Sequence, residues 1–463
     1  MAAELGKTSS ILIVGGGAWG CSTALHLARR GYQKVTVLDA YPIPSPISAG
    51  NDVNKIVEQG QYFVFILRRS VADGRMQIGS FTEGDDEAAV ASTLLAAAAE
   101  GWNNDPVFSP YFHDTGYIVA ASSPSALESL ETREIRHHAD AFTRLITAED
   151  FRATMPEGVL TGEFSGWSGF YMKSGAGWVH ARKALVSAFK EASRLGVRFI
   201  TGSPQGQVTG MLYSKSDVVG VLTADGVEHR ADRTILAAGA SAAQLFDFEN
   251  QLRATAWTLA HIPMTTEEAR LFKDLPVLFN IEKGFFMEPD EDRHELKICD
   301  EHPGYCNWVS SSTSPLPQSV PLAKHQIPLP AARRVRDFLR DTMPQLADRP
   351  FSHARVCWCA DTPNRSFLIT RHPSYPSLIL AAGDSGHGFM HIPSIGRFIV
   401  DCMEGILDER FRHSWRWRPE TAKGFWGDQT LGRFGAGDHM LDLKETEKAG
   451  WTNIPPQEKT SKL

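Results

Sequence analysis

Ser10-Ile11-Leu12-Ile13-Val14, running straight into Gly15-Gly16-Gly17-Ala18-Trp19-Gly20, is the stretch that decides the fold. Its first five residues are mostly apolar and β-branched and stop at glycine, which predicts a strand buried on both faces of a parallel sheet. Gly15, Gly17 and Gly20 match G-x-G-x-x-G, with Ala18 and Trp19 at the two adjoining variable positions, and residues 21–30 continue with apolar side chains at helical spacing. Each glycine meets a physical need. The first makes the tight turn, the second lets backbone approach a pyrophosphate, and the third lets helix pack on strand. The anion then sits at the helix N-terminus. A second strand, 35–38, ends at Asp39, nineteen residues after Gly20, where a carboxylate accepts hydrogen bonds from ribose hydroxyls. Strand, turn, helix, strand and acid in this order favour a dinucleotide site over a glycine turn with only a structural part. They do not choose between NAD and FAD.

The rest of the chain does. A helical stretch over about 180–194 leads into a strand at 197–201, and a β-rich passage at 218–222 leads to Arg233-Thr234-Ile235-Leu236-Ala237-Ala238-Gly239-Ala240. Near the C-terminus, Leu378-Ile379-Leu380-Ala381-Ala382-Gly383-Asp384-Ser385-Gly386-His387-Gly388 repeats the pattern of an apolar strand ending in small residues, and another apolar helix opens at Gly396. A chain that returns to its cofactor sheet three times builds a long site, which suits FAD.

The 463 residues, 42% hydrophobic and 22% charged, are enough for two domains with a large core. A net charge of -7 and the lack of a basic block argue against a nucleic-acid partner. No apolar run reaches the length of a membrane span and the first ten residues lack a secretory pattern, so an intracellular protein without a membrane partner is expected. The six cysteines, Cys21, Cys299, Cys306, Cys357, Cys359 and Cys402, are too scattered for a disulfide scaffold, and the Cys357/Cys359 pair has no companion pair at zinc-site spacing. The chain ends in Ser461-Lys462-Leu463 after a polar, proline-containing stretch. That ending is the address read by the peroxisomal import receptor, and a peroxisomal location is expected.

Several runs carry a more specific likeness: residues 11–28, Ser48-Ala49-Gly50-Asn51-Asp52-Val53-Asn54-Lys55, Gly177-Trp178-Val179-His180-Ala181-Arg182, Cys357-Trp358-Cys359-Ala360-Asp361-Thr362-Pro363-Asn364-Arg365, residues 383–393 and Trp415-Arg416-Trp417-Arg418-Pro419-Glu420. Through them the chain resembles the fructosyl amino acid oxidases, or amadoriases, within the sarcosine oxidase group of flavoproteins. The resemblance implies a fold of the α/β class, with an FAD-binding Rossmann-type domain and a mixed-sheet α+β substrate domain. It makes Cys357 the candidate for a covalent thioether to FAD, with Cys359 a bystander, although both lie on one strand face and the bland reading is a pair of small buried residues. Lys297 takes the position of the lysine that promotes reaction with oxygen, against the usual reading of a snorkelling surface lysine. Glu301 and Arg433 correspond to the pair that holds the amino acid half of the substrate, the arginine through its planar fork, where the bland reading is a surface ion pair. Asp52 and Lys55 belong to the loop approaching the flavin and the substrate. Ser48, Asp384, Ser385, Gly388, Phe389 and Met390 surround the cofactor, with N–H groups of residues 386–389 facing the flavin pyrimidine carbonyl. His387 is structural. At Met390 the sarcosine oxidases have a lysine that binds carboxylate, and its absence argues against sarcosine as substrate.

The implied reaction takes a small-molecule amine and O2. The neutral secondary amine of a fructosyl amino acid gives hydride to flavin N5, the imine hydrolyses to glucosone and free amino acid, and oxygen is reduced to hydrogen peroxide. No metal is needed. A second possibility is oxidation of saccharopine, pipecolate or an N-methyl amino acid; a third is a flavin-binding protein without turnover. The expected division is an FAD-binding domain of residues 8–60, 170–250 and 355–440, a substrate domain of 81–169 and 251–354, and a C-terminal tail of 441–463, in a monomer. One stretch departs from the family: after Lys55, an apolar run and a basic turn over 60–79 intervene before an acidic segment. It reads as a lid, an interaction strand or a translated intron. A peptide spanning Gln61 and Leu67, found by mass spectrometry of the native protein, excludes the intron.

Overall fold

The apolar run before the glycine turn forms the strand Ser10–Val14, and its alternation explains the layers around it. Ile11 and Ile13 face one core, Leu12 and Val14 the other, as a two-residue period requires. The computed structural model describes residues 5–59, 81–131, 141–215, 217–302, 304–310, 316–422 and 440–454. The expectations for residues 60–80, for Arg433 and for the Ser461-Lys462-Leu463 ending lie outside these.

Ser10–Val14 sits inside a six-stranded sheet with the order Leu368–Arg371, Leu378–Ala382, Arg233–Leu236, Ser10–Val14, Lys34–Asp39, Arg198–Thr201. All neighbours are parallel except the antiparallel edge pair Leu368–Arg371 and Leu378–Ala382. One face is covered by the helices Ala18–Arg29, Ala181–Arg194 and Ile395–Glu404, whose Leu25, Leu27, Leu185 and Ile399 are fully buried. The other face packs on a three-stranded antiparallel sheet through Val218 and Val221. Helices Ala18–Arg29 and Ile395–Glu404 touch so closely that a Cβ on Gly396 would lie 2.3 Å from the Ser22 backbone. The Ser22 hydroxyl seals the contact, donating to Ile392 O at 2.6 Å and accepting from Gly396 N at 2.9 Å.

The second large element is a ten-stranded mixed sheet built around the long strand Arg253–Pro263. His353–Asp361 pairs antiparallel along most of that strand, with Trp257 opposite Cys357, and Glu295–Asp300 pairs on its other side, with His261 opposite Lys297. Three strands thus bring Cys357 and Lys297 to one sheet. Leu296 and Ile298 point into a core covered by helix Leu329–Thr342, so Lys297 and Cys299 point to the opposite face. Strands Ser168–Met172, His353–Asp361 and Leu441–Asp442 all belong to this sheet. A small sheet of Lys55–Glu58, Ala176–Val179 and Phe112–His113 bridges the two large ones.

Because Gly396 leaves no room for a methyl group, Gly396→Ala should destabilise by about 1–3 kcal/mol, seen as a lower melting temperature of the flavin-loaded protein. Gly210→Ala, where nothing lies within 4 Å of the added Cβ, is the control and should leave it unchanged.

Candidate active site

The glycine turn is clamped between strand ends. Gly15 N donates to Leu38 O at 2.8 Å and Ala237 N to Val14 O at 2.8 Å. Gly15 has φ +104°, and a Cβ there would lie 2.4 Å from Ala237 O, so only glycine fits. A Cβ on Gly20 would lie 1.8 Å from Gly15 O, the close helix-on-strand approach expected of the third glycine. Helix Ala18–Arg29 begins at Gly17 with no side-chain cap and no acid in its first turn, which leaves its N-terminus open to an anion. Asp39 ends the next strand. Its carboxylate accepts from Gly16 N at 2.7 Å and Tyr41 N at 2.9 Å, keeping lone pairs on both oxygens for further donors. Burial raises its pKa, and the two N–H groups offset only part of that.

A cavity of about 450 Å³ runs from here past Ser48 to Asp384 and Gly388, lined also by Gly15, Gly17, Ala18 and Trp19. Trp19 Nε1 donates to Gly388 O at 3.1 Å, tying the helix start to the turn after Leu378–Ala382. Asp384 accepts from Ala360 N at 2.7 Å, tying the same turn to the Cys357 strand. Phe389 lines this cavity and a second one of about 310 Å³, so an elongated cofactor passing Phe389 would reach both. The open helix end, the forced glycines and the Asp39 carboxylate fit FAD: the glycine turn would hold its pyrophosphate and Asp39 its ribose.

The second cavity brings together Asp52, Lys55, Lys297, Glu301, Cys357, Cys359, Ser385, His387 and Met390. At its base lies a buried charge cluster. Asp52 Oδ2 accepts from Lys297 Nζ at 2.8 Å and from Lys55 Nζ at 2.9 Å, with Arg355 Nη2 at 3.9 Å. Lys297 also donates to Asn54 O at 2.8 Å, which leaves one of its three N–H donors for the cavity. Burial opposes the charge on Asp52, yet Lys297, Lys55 and Arg355 outweigh it and hold the carboxyl well below its usual range. Burial likewise opposes the Lys55 ammonium, and Asp52 more than reverses that, raising its pKa. Three cations surround one carboxylate, so the cluster presents net positive charge to the cavity. Arg355 Nη2 also lies 3.9 Å from Cys357 Sγ.

The other residues are arranged as follows. Cys357 is buried and Cys359 partly exposed, both lining the cavity from one strand. Glu301 follows the strand end at Asp300, whose carboxylate is gripped by Arg334 Nη2 at 2.7 Å and Nε at 3.0 Å. Ser385 has φ +45°, and its N–H donates to Ala360 O at 3.0 Å. The expected row of N–H groups over 386–389 has one correction: His387 N closes the turn onto Asp384 O at 2.9 Å. The His387 ring stacks on Phe367 with centroids 5.1 Å apart, and Met390 O accepts from Trp102 Nε1 at 2.6 Å.

Sequence reasoning missed Arg355, Asn54, Glu58 and Tyr117. Arg355 lies two residues before Cys357, so strand alternation alone puts both on one face. Glu58 ends the strand that begins at Lys55 and lines the same cavity with Tyr117. Nothing local in the sequence marks either of that pair. Among the described residues no helix is long and apolar enough to cross a membrane.

A family model described as FAD dependent oxidoreductase matches residues 10–402. The crystal structure of fructosyl amine:oxygen oxidoreductase (Amadoriase I) from Aspergillus fumigatus is 53% identical, covers 98% of this chain and 100% of that one, and superposes with a TM-score of 0.90. Fructosamine oxidase (Amadoriase II) from the same organism, in complex with FSA, is 52% identical over 97% of this chain and 98% of that one, also with a TM-score of 0.90. L-saccharopine oxidase from Schizosaccharomyces pombe is 29% identical over 431 residues, 89% of this chain and 93% of that protein.

Removing the carboxylate would leave the buried Lys297 and the half-buried Lys55 without their shared anion, so Asp52→Asn should cost about 3–5 kcal/mol. The pH dependence follows from the depressed native pKa. The stabilisation is complete above the unfolded value of about 3.9 and is lost as pH falls through the lower native value. The melting-temperature gap between native and D52N protein should therefore hold from pH 8 to about 5 and shrink only in stronger acid. A gap that closes between pH 7 and 6 would contradict this account of the cluster.

Proposed function

We propose that this chain, which belongs to the FAD dependent oxidoreductase family and sides within it with the amadoriases, oxidises the secondary amine of fructosyl amino acids, giving glucosone, free amino acid and hydrogen peroxide. The observation that carries the reading is the cationic cluster of Lys297, Lys55 and Arg355 around the buried Asp52, beside Cys357, at a cavity that shares Phe389 with the dinucleotide cradle. FAD, when bound, supplies the two-electron acceptor and hands the electrons on to dioxygen.

The chain's own residues do the rest. Gly15, Gly17, Gly20 and the open end of helix Ala18–Arg29 receive the pyrophosphate, and Asp39 receives the ribose. Cys357 serves as the covalent attachment point, with Arg355 Nη2 3.9 Å from its sulfur. The remaining N–H of the buried Lys297 stabilises negative charge that develops as oxygen is reduced. Glu301 and Arg433 bind the amino acid half of the substrate, the arginine gripping its carboxylate. A protein base is not required, because the amine lone pair drives loss of hydride from the neighbouring carbon. The chain acts as a monomer. Its Ser461-Lys462-Leu463 ending supports import into the peroxisome, where deglycation would release peroxide next to catalase.

The decisive test is anaerobic bleaching of the flavin absorbance. Fructosyl-valine or ε-fructosyl-lysine should bleach it; bleaching by saccharopine or pipecolate instead would move the protein to the reading that the saccharopine oxidase relative favours, and no bleaching by any would remove the oxidase reading.

Two variants separate the roles. Lys297→Met should slow reoxidation of the reduced flavin by oxygen about 100-fold or more while anaerobic bleaching persists; equal loss of both half-reactions would contradict the oxygen role. Cys357→Ser should release the flavin on acid precipitation, whereas Cys359→Ser should keep it bound.

A further inference from the structure

Glu58 closes the strand Lys55–Glu58 and points into the 310 Å³ cavity, where the mechanism above gives it no part. It is 8% exposed, and its Oε2 has no hydrogen-bond partner among the described residues. The Tyr117 hydroxyl, from strand Tyr117–Ala121, is its hydrogen-bond partner. The cavity's other buried carboxylates are provided for: Asp52 by two lysines, Asp300 by Arg334 and by Thr258 Oγ1 at 3.0 Å. Glu301 lies near enough to Tyr117 for its charge to act on the phenol, as Glu58 does. The cavity thus has two unlike sides, the cations Lys297 and Lys55 with Arg355 behind them, and the carboxyl and phenol groups of Glu58, Tyr117 and Glu301.

A buried carboxylate oxygen without a partner is costly unless a ligand completes it. A neutral hydroxyl would restore one hydrogen bond; an ammonium restores the bond and brings the opposite charge, the stronger pairing in a low-dielectric site. We propose that Glu58 is a specificity-determining residue whose free carboxylate oxygen receives the ammonium of glycated substrates carrying a second, charged nitrogen. The inference rests on the fructosyl amine reading and names its substrate class, that of ε-glycated lysine with a free α-ammonium. Burial pushes the Glu58 carboxyl up to about 8, with the Tyr117 hydroxyl drawing it back, so an arriving cation would shift it to the charged form.

Two matched substrates isolate the group. Nε-Fructosyl-lysine and N-fructosyl-6-aminohexanoate differ only in the α-ammonium. With the flavin-loaded full-length enzyme, the ratio of their kcat/KM values should favour the lysine compound, and Glu58→Gln should lower that ratio about tenfold or more, mainly through KM. The ratio reports recognition independently of how much active variant is recovered, and Glu58→Asp, which keeps the charge, should retain part of the preference. An unchanged ratio in E58Q, with both substrates still oxidised, would overturn the proposal and leave the fructosyl amine reading standing. An equal loss on both substrates would assign Glu58 to the fructosyl half or to the fold and also overturn it. If the native enzyme oxidises neither compound, the reading beneath it fails and the proposal fails with it.

Discussion

One buried carboxylate organises the chemistry of this molecule. Asp52 lines the cavity and binds Lys55 from the start of the strand Lys55–Glu58 and Lys297 from the strand Glu295–Asp300, with Arg355 approaching from His353–Asp361. Each cation would be hard to bury alone. Together, with one anion between them, they form a fixed positive field in a place sheltered from water, and Asp52 is held charged by the same neighbours. The arrangement joins parts of the chain separated by hundreds of residues, so it exists only when the sheets have assembled. A field of this sign suits an enzyme in which negative charge must develop on a cofactor ring or on oxygen.

The fold supplies two things to that cluster. The strand Ser10–Val14 of the six-stranded sheet ends in the glycine turn at Gly15–Gly20, which lines the first cavity, and the strand Leu378–Ala382 leads to the Asp384–Gly388 turn. The ten-stranded sheet sets Lys297, Arg355 and Cys357 on one face through the two-residue period, while its other face is fastened to helix Leu329–Thr342. Strands therefore carry the three cations, and turns carry Asp52 and the backbone donors. The small sheet containing Lys55–Glu58 completes the wall between them and gives the cavity its acidic side.

Much of this was legible in the sequence, and for stated reasons. The strand Ser10–Val14, the helix after it and Asp39 follow from local patterns that leave little choice, since only glycine fits at Gly15 and Gly20. The strands at Arg233–Leu236 and Leu378–Ala382 were visible as apolar runs ending in small residues. Lys297, Asp52, Lys55 and Cys357 came from resemblance, and they line one cavity. Pairing was the hidden part. Alternation puts Arg355 on the Cys357 face, but no local pattern says that His353–Asp361 runs beside Arg253–Pro263 and so brings Arg355 to Asp52 and Lys297. The Glu58 and Tyr117 pair was invisible for the same reason, being made by two strands in different sheets. The turn at His387 shows a different limit: its amide is taken by Asp384, which only backbone geometry reveals.

The central claim is that this cavity oxidises a glycated amine with dioxygen. Its most direct measurement is the stoichiometry of a single reaction in air: fructosyl-valine supplied in known amount to the flavin-loaded protein, with oxygen uptake, hydrogen peroxide, glucosone and free valine all quantified. The account predicts one equivalent of each per equivalent of substrate consumed. Stoichiometric peroxide from saccharopine, with fructosyl-valine recovered intact, would contradict it.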